Sequence, residues 1–371
     1  MTQNANTDVF VVGGGPAGLV AAIAARKKGF SVALADSAEP PIDKPCGEGL
    51  MPETLAALRE LDITLEVSEG HEFRGIQFLE NGRHFASDFP KGKGIGLRRP
   101  LLHAMLVAKA ERCGVRLLWK TPVSGITADG VQLKAELLQA HWILGADGGG
   151  SRVRQWSGLE SSALRTQRFA MRRHYHIKPW SPYAEVHWGK QVQAYVTPTG
   201  REEVCIVVMA EWLEEADFAK VLGELPELRE RLQGAELASR ERGAVTVMRS
   251  LNRVMRGNVA LVGDASGVVD AITGEGLRLA FRQSLALAEA LQRNDLSSYE
   301  CAHRKLARRP MRMGKLLLLL GRNPRLRQRL FAVLASKPEL FGSLLAMHAG
   351  RASPTQVLGT GLELSWQFLS A

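Results

Sequence analysis

Residues 8–36, DVFVVGGGPAGLVAAIAARKKGFSVALAD, decide how the whole chain is read. An apolar strand at residues 9–12 runs into Gly13-x-Gly15-x-x-Gly18, a helix of small residues follows, and a second apolar strand at residues 31–35 ends on Asp36. That order is a dinucleotide-binding βαβ unit. Gly13 permits the tight turn off the strand, Gly15 lets backbone approach a pyrophosphate, and Gly18 lets the helix pack close to the sheet, whose neighbouring helix N-terminus offers free N–H groups to phosphate. Gly13, Gly15, Pro16, Ala17 and Gly18 are therefore the expected contacts. Asp36, 23 positions after Gly13, stands where an acid accepts hydrogen bonds from a ribose hydroxyl; its plainer role would be a loop acid or a helix cap.

Composition narrows the setting. With 371 residues, 45% hydrophobic and 23% charged, the chain can bury a large core and form two domains. Residues 1–7 are polar and read as no signal peptide, and no run of about eighteen apolar residues would span a bilayer. Cys46, Cys113, Cys205 and Cys301 lie far apart without a CxxC pair, so neither a zinc site nor a disulfide framework is expected. A cytoplasmic protein with free thiols follows. The formal net charge of +10 does not point to nucleic acid: residues 301–371 carry twelve Lys and Arg against two acids, a surplus equal to that of the whole chain.

Outward from the first unit, residues 44–50, KPCGEGL, place small residues around Cys46, as backbone passing a flat ligand would require. A helix is expected at residues 52–61, and two strands around Asn81-Gly82 within residues 73–89. Arg98 and Arg99 open a helix at residues 101–113, where an arginine can fork onto phosphate. Strands are expected at residues 115–119, 131–138 and 142–144, the last entering Gly145-Ala146-Asp147-Gly148. Alternation then marks strands at residues 169–176, 184–188, 193–197 and 204–209, whose Trp188 and Tyr195 could line a cavity or simply pack the sheet. Residues 213–237 read as a polar-faced helix and residues 245–247 as a strand. Finally Gly263-Asp264 ends a strand, and Gly274-Glu275-Gly276 heads a helix at residues 277–292. An acid at a strand end suits hydroxyls, and a helix N-terminus suits an electron-rich carbonyl.

Three motifs in register, Gly13-x-Gly15-x-x-Gly18, Gly145-Ala146-Asp147-Gly148 with Ser151 and Arg154, and Gly263-Asp264 with Gly274-x-Gly276, resemble the FAD-dependent oxidoreductases of the para-hydroxybenzoate hydroxylase and geranylgeranyl reductase superfamily. The resemblance implies an α/β fold: a three-layer, Rossmann-like FAD-binding domain from residues 1–70, 98–160 and 246–296. An inserted antiparallel β-sheet substrate domain would comprise residues 71–97 and 161–245, and a basic helical C-terminal segment residues 297–371. It implies FAD as cofactor and NAD(P)H as transient reductant, with Asp36 on the ribose, Arg99 near the phosphates, Asp147 in the motif linked to both nucleotides, Asp264 on the ribityl hydroxyls and Gly274, Glu275 and Gly276 facing the ring. Asp36-Ser37 departs from the family's usual Glu and basic residue, and Ala271 replaces its usual Pro.

For the reaction, KPCGEGL resembles the reductases, where a cysteine borders the substrate, whereas residues 194–200, AYVTPTG, look more like the hydroxylases. The favoured expectation is an NAD(P)H-dependent monooxygenase adding oxygen at the flavin C4a position to a hydrophobic aromatic or polyketide-like molecule. The alternatives are a reductase of C=C bonds in an isoprenoid and a flavin-binding protein without turnover. Cys46 and Tyr195 are the candidate catalytic groups, and Cys46, Gly47, Trp188, Tyr195 and Pro198 the candidate substrate pocket. The basic, leucine-rich tail would either cap the substrate domain or lie on an anionic membrane surface. A lipophilic substrate fits both.

Overall fold

The strand Thr7–Val12 lies inside a parallel sheet in the computed structural model, which describes residues 6–65, 67–134, 136–160, 164–211 and 217–370. Val11 pairs with Leu34 of Val32–Ala35 on one side and with Leu144 of Leu137–Gly145 on the other. Val259–Leu261 and Arg116–Leu118 extend the sheet in parallel at the two sides. Val9, Phe10, Val11 and Val12 are all buried, as a central parallel strand covered on both faces requires. The helix Pro16–Lys27 packs its alanines into one core with the helix Gly276–Gln292. Small side chains let the two helices and the sheet approach.

Residues 131–138 do not form the single expected strand. Gly130–Gln132 ends there, the chain turns with Leu133 N–H donating to Glu136 C=O at 3.0 Å, and Leu137–Gly145 returns antiparallel to it. Residues 142–144 continue that strand instead of opening another. Val131, Leu133 and Leu138 all bury in one core, which disguises the turn as continuous apolar sequence.

The second sheet runs in the order Glu236–Leu237, Leu164–His176, Glu203–Ala210, Val192–Gly200, Tyr183–Trp188, Gly75–Glu80 and Arg83–Asp88, with Arg242–Arg249 also on Leu164–His176. Its pairings are antiparallel except Tyr183–Trp188 with Gly75–Glu80. Asn81 and Gly82 have φ of 49° and 77°, the two positive angles a tight hairpin turn needs. The ends of residues 71–97 leave this sheet: His71–Phe73 and Gly94–Gly96 join Gly49–Leu50 in a small three-stranded sheet that ties the KPCGEGL loop to the substrate side.

The single helix expected at residues 213–237 is replaced, among the described residues, by Phe218–Gly223, Pro226–Arg231 and the short strand Glu236–Leu237; residues 212–216 lie outside the description. Pro226 has no N–H to continue the first helix and begins the second.

The tail forms Leu296–Arg322, Pro324–Ser336, Pro338–His348 and Pro354–Ser370, the last three each opening on a proline. Its apolar face packs on the second sheet: Phe331 and Phe341 meet Phe85 edge-on at 5.0 and 4.9 Å, and Leu334 and Leu340 join Val186 and Trp188 in the same cluster. The capping arrangement is the one observed. No single described helix is long and apolar enough to cross a membrane; Pro324–Ser336 and Pro338–His348 pass only as a pair, and they bend by 107°.

Candidate active site

The glycine turn has the shape its sequence demands. Gly13 has φ of 109°, and a Cβ there would meet the Ala146 carbonyl at 2.5 Å; at Gly18 it would meet the Gly13 carbonyl at 1.9 Å. At Gly15, however, a Cβ would meet nothing within 4 Å. The outer lip of the turn is open while its inner positions are closed against the protein, as a site for an incoming pyrophosphate should be. Pro16 and Ala17 follow as the first helical residues.

Asp36 lies beside this turn, its Oδ2 accepting from Gly14 N–H at 2.6 Å and its Oδ1 from Ala38 N–H at 2.7 Å. Its carboxylate thus fixes the turn. Two neighbours escaped sequence reading. Trp119 packs on Gly14, where a Cβ would strike the indole at 2.3 Å. His103 donates from Nε2 to the Gly14 carbonyl at 2.8 Å, and its Nδ1 accepts from Ile42 N–H at 3.4 Å. Burial holds the His103 pKa down against that carbonyl bond, with the charge of Arg99 adding to the effect. His103 stands one helical turn beyond Arg99, but no spacing marks a helix histidine as the support of a remote loop.

Arg98 and Arg99 separate in role. Arg98 pairs with Glu203 at 2.7 Å. Arg99 has a buried Nε with no partner among the described residues, next to Asp264 and the His103–Gly14 contact. An orphaned guanidinium N–H on the margin of an open phosphate turn fits a phosphate-bearing cofactor.

At the other end, Gly263 takes φ of 63°, and a Cβ there would press on Ala17 at 2.7 Å. Asp264 is open to the cleft yet lies deep within the protein, and burial pushes its carboxyl above the ordinary range, with Lys44 and Arg99 working in the opposite direction. Hydroxyl donors are the natural partners of such a carboxylate. Gly274 has φ of 65°, and at Gly276 a Cβ would again meet nothing within 4 Å, leaving the N-terminus of Gly276–Gln292 approachable. The side chain of Glu275 turns away from the cleft: His348 donates to it at 2.7 Å, and Arg278 pairs with it. Burial pushes its pKa up, but these two partners hold it below the usual range.

Asp147 is likewise engaged locally. It accepts from Ser151 Oγ at 2.5 Å and from the N–H groups of Arg152 and Val153 at 2.7 and 3.1 Å, capping the helix Arg152–Trp156. Arg154 is buried and donates to the carbonyls of Gly149 and Ala265 at 2.8 and 3.1 Å, tying the second motif to the third.

Facing the flavin end, the second sheet presents an apolar strip of Ala170, Cys205, Val207 and Met209, with Tyr195 packed against it. Two buried charge clusters border the strip. Arg168 pairs with Asp270 at 3.0 Å and reaches Gln193 at 2.5 Å. Arg172 holds Asp43 at 2.8 Å and Glu48 at 3.1 Å, and Glu48 also accepts from His174 at 2.7 Å and from Arg99 N–H at 2.9 Å. Both clusters join a flavin-domain loop to Leu164–His176. Neither arginine was singled out in the sequence, and their acids come from residues 43–48 and 270, too distant in sequence to be matched.

The remaining pocket candidates divide. Cys46 borders the strip, its carbonyl accepting weakly from Cys205 Sγ at 3.7 Å, and at Gly47 a Cβ would meet open space. The Tyr195 hydroxyl is buried without a partner among the described residues, and burial raises its pKa, so the phenol stays protonated. Trp188 lies under the tail, against Phe331 and beneath the Arg327 guanidinium. Pro198 is buried, its carbonyl pressed on Gly96, where a Cβ would meet it at 1.7 Å.

Comparison with known proteins gives the family. The family model described as an FAD binding domain matches residues 6–294. The chain belongs to this family, within the para-hydroxybenzoate hydroxylase and geranylgeranyl reductase superfamily, and is an FAD-dependent oxidoreductase. It is 26% identical to a menaquinone reductase of Mycobacterium tuberculosis, over 80% of this chain and 79% of that one. It is also 26% identical to a digeranylgeranylglycerophospholipid reductase of Thermoplasma acidophilum, over 78% of this chain and 80% of that one. A solved flavoprotein/dehydrogenase from Cytophaga hutchinsonii shares the fold, with a TM-score of 0.80 at 18% identity and 92% of each chain covered.

Proposed function

We propose that this FAD-dependent oxidoreductase reduces carbon–carbon double bonds of a prenyl-type lipophilic molecule, with NAD(P)H as electron source. The observation that carries the reading is the apolar strip Ala170, Cys205, Val207 and Met209, flanked by charges that are already paired. Activating a phenol for hydroxylation calls for a group that accepts a proton, and Asp270, Asp43 and Glu48 are committed to arginines. Reducing an alkene calls for an apolar surface and a proton donor, and two protic groups, Cys46 and Tyr195, adjoin the strip.

Bound FAD supplies the hydride. Gly13 to Gly18 and Arg99 would hold its phosphates, Asp264 its ribityl hydroxyls, and the N-terminus at Gly276 would face the ring carbonyl. The relatives named for reduction of a quinone and of a geranylgeranyl lipid support the same substrate class.

The test is anaerobic turnover of menaquinone and of a digeranylgeranyl lipid by the FAD-loaded protein with NADPH, read by mass spectrometry. Gain of hydrogen with oxygen excluded is expected. Product that appears only with oxygen, carrying one added oxygen atom, would establish the hydroxylase that residues 194–200 resemble. In the reductase, Tyr195→Phe or Cys46→Ser lowers turnover while leaving FAD content unchanged.

A further inference from the structure

Next to the Gly263–Ser266 turn lies a cavity of about 400 Å³, between Arg249–Leu251, Ser266–Gly267 and the helix Leu296–Arg322. Among the described residues five cations line it, Arg249, Arg304, Arg308, Arg312 and Lys315, and no carboxylate does. Arg249 is neutralised by Glu160 at 2.7 Å and Arg304 by Glu300 at 2.5 Å. Among the described residues Arg308, Arg312 and Lys315 have no acidic partner within 4.0 Å. They follow one another at four and three positions, so they share one helix face over a span of about 10 Å, where like charges one turn apart repel.

The rest of the wall has a different character. Leu251, Leu279 and Met311 make one side apolar. The floor is a closed set of neutral hydrogen bonds: His303 donates to Ser266 Oγ at 2.9 Å, and Ser266 Oγ donates to the Gly263 carbonyl at 2.8 Å. A ligand therefore meets unneutralised positive charge along one edge, an apolar side, and a floor that asks for no new partner. Two guanidinium forks and an ammonium along such an edge match the several oxygens of a phosphate or diphosphate better than a lone carboxylate.

We propose that this cavity binds an organic phosphate or diphosphate ester, its anionic end on Arg308, Arg312 and Lys315 and its apolar or aromatic body against Leu251, Leu279 and Met311. The site is distinct from the FAD cleft in its residues: none of Gly13, Gly15, Gly18, Asp36, Arg99, Asp264, Gly274 and Gly276 lines it. It does not depend on which reaction the flavin performs.

Isothermal titration of the FAD-loaded full chain tests this, loading being needed so that the glycine turn is not the anion site. The probes are inorganic pyrophosphate, ADP and soluble dihexanoyl phosphatidic acid at low salt. All three are expected to bind, with at least one ester tighter than pyrophosphate; ADP as the tighter ester marks a nucleotide site and phosphatidic acid a lipid headgroup site. Arg308→Ala/Arg312→Ala is expected to weaken each at least tenfold and Lys315→Glu to weaken each as well, with FAD content and circular dichroism unchanged, while Arg308→Lys/Arg312→Lys retains most of the affinity. Equal binding by wild type and the alanine variant, or no binding by wild type, overturns the site. Pyrophosphate binding as tightly as both esters overturns the ester reading and leaves an adventitious ion only.

Discussion

Gly15 and Gly18 belong to one motif but should fail in opposite ways. A Cβ at Gly15 enters open space, and the residue's φ of −70° suits alanine, so Gly15→Ala should change apoprotein stability by no more than about 0.5 kcal/mol. It should weaken FAD binding by at least about tenfold, equivalent to ~1.4 kcal/mol, because the methyl occupies the approach path of the pyrophosphate. Gly18→Ala drives a methyl onto the Gly13 carbonyl and should lower yield and thermal stability before any ligand is added. Thermal denaturation with and without FAD separates the two outcomes. Asp264 gives a pH-dependent counterpart. Its pKa is raised in the folded protein, so the folded state binds its proton more tightly, and stability falls as pH rises above the ordinary aspartate range. Asp264→Asn should therefore stabilise the apoprotein at pH 7 but not at pH 3, and should weaken FAD. Equal melting shifts at both pH values would refute this account.

Among elements, those whose pattern is local were legible in sequence. The hairpin at Asn81-Gly82 and the helix Pro16–Lys27 carry their own signals in turn residues and small-residue spacing. The turn at residues 133–136 and the break at Pro226 were misread because apolar or charged periodicity continues across both. The joints between elements were not legible at all. Leu164–His176 is anchored to the flavin domain by Arg168–Asp270 and by Arg172 with Asp43 and Glu48. Arg168→Met leaves the buried Asp270 carboxylate without its cation, holding only the Ile272 N–H among the described residues, and should cost about 3–5 kcal/mol in urea unfolding. Arg168→Met/Asp270→Leu should recover part of that loss, since replacing both members of a buried pair by apolar groups is often neutral, less the bond Asp270 accepts from Ile272 N–H. No recovery would mean that the pair does more than neutralise itself.

At the scale of the molecule, the tail completes the core of the second sheet. Phe331, Leu334, Leu340 and Phe341 cover Phe85, Val186 and Trp188. Losing a buried leucine or phenylalanine side chain costs roughly 2–5 kcal/mol, and four such losses reach the ~5–15 kcal/mol that holds a domain folded. Deleting residues 297–371 should yield aggregated protein that retains little FAD; a soluble, yellow truncation would show that the tail is dispensable. The tail's basic, leucine-rich sequence suits a cap and a membrane-lying helix, and the packing of Phe331 and Phe341 on Phe85 shows the cap.

By itself the sequence determined the family and its FAD cofactor, because the constraints behind those motifs are local. A turn that tolerates no Cβ, a strand ending in an acid and a helix start all act within a few residues, and their spacing records them. Tertiary structure decided what stands opposite the flavin. The paired arginines, the apolar strip, the support of Gly14 by His103 and the uncompensated cations behind Ser266 all join residues dozens to hundreds of positions apart. A charge's partner is set by where the chain folds back, so spacing carries no trace of it.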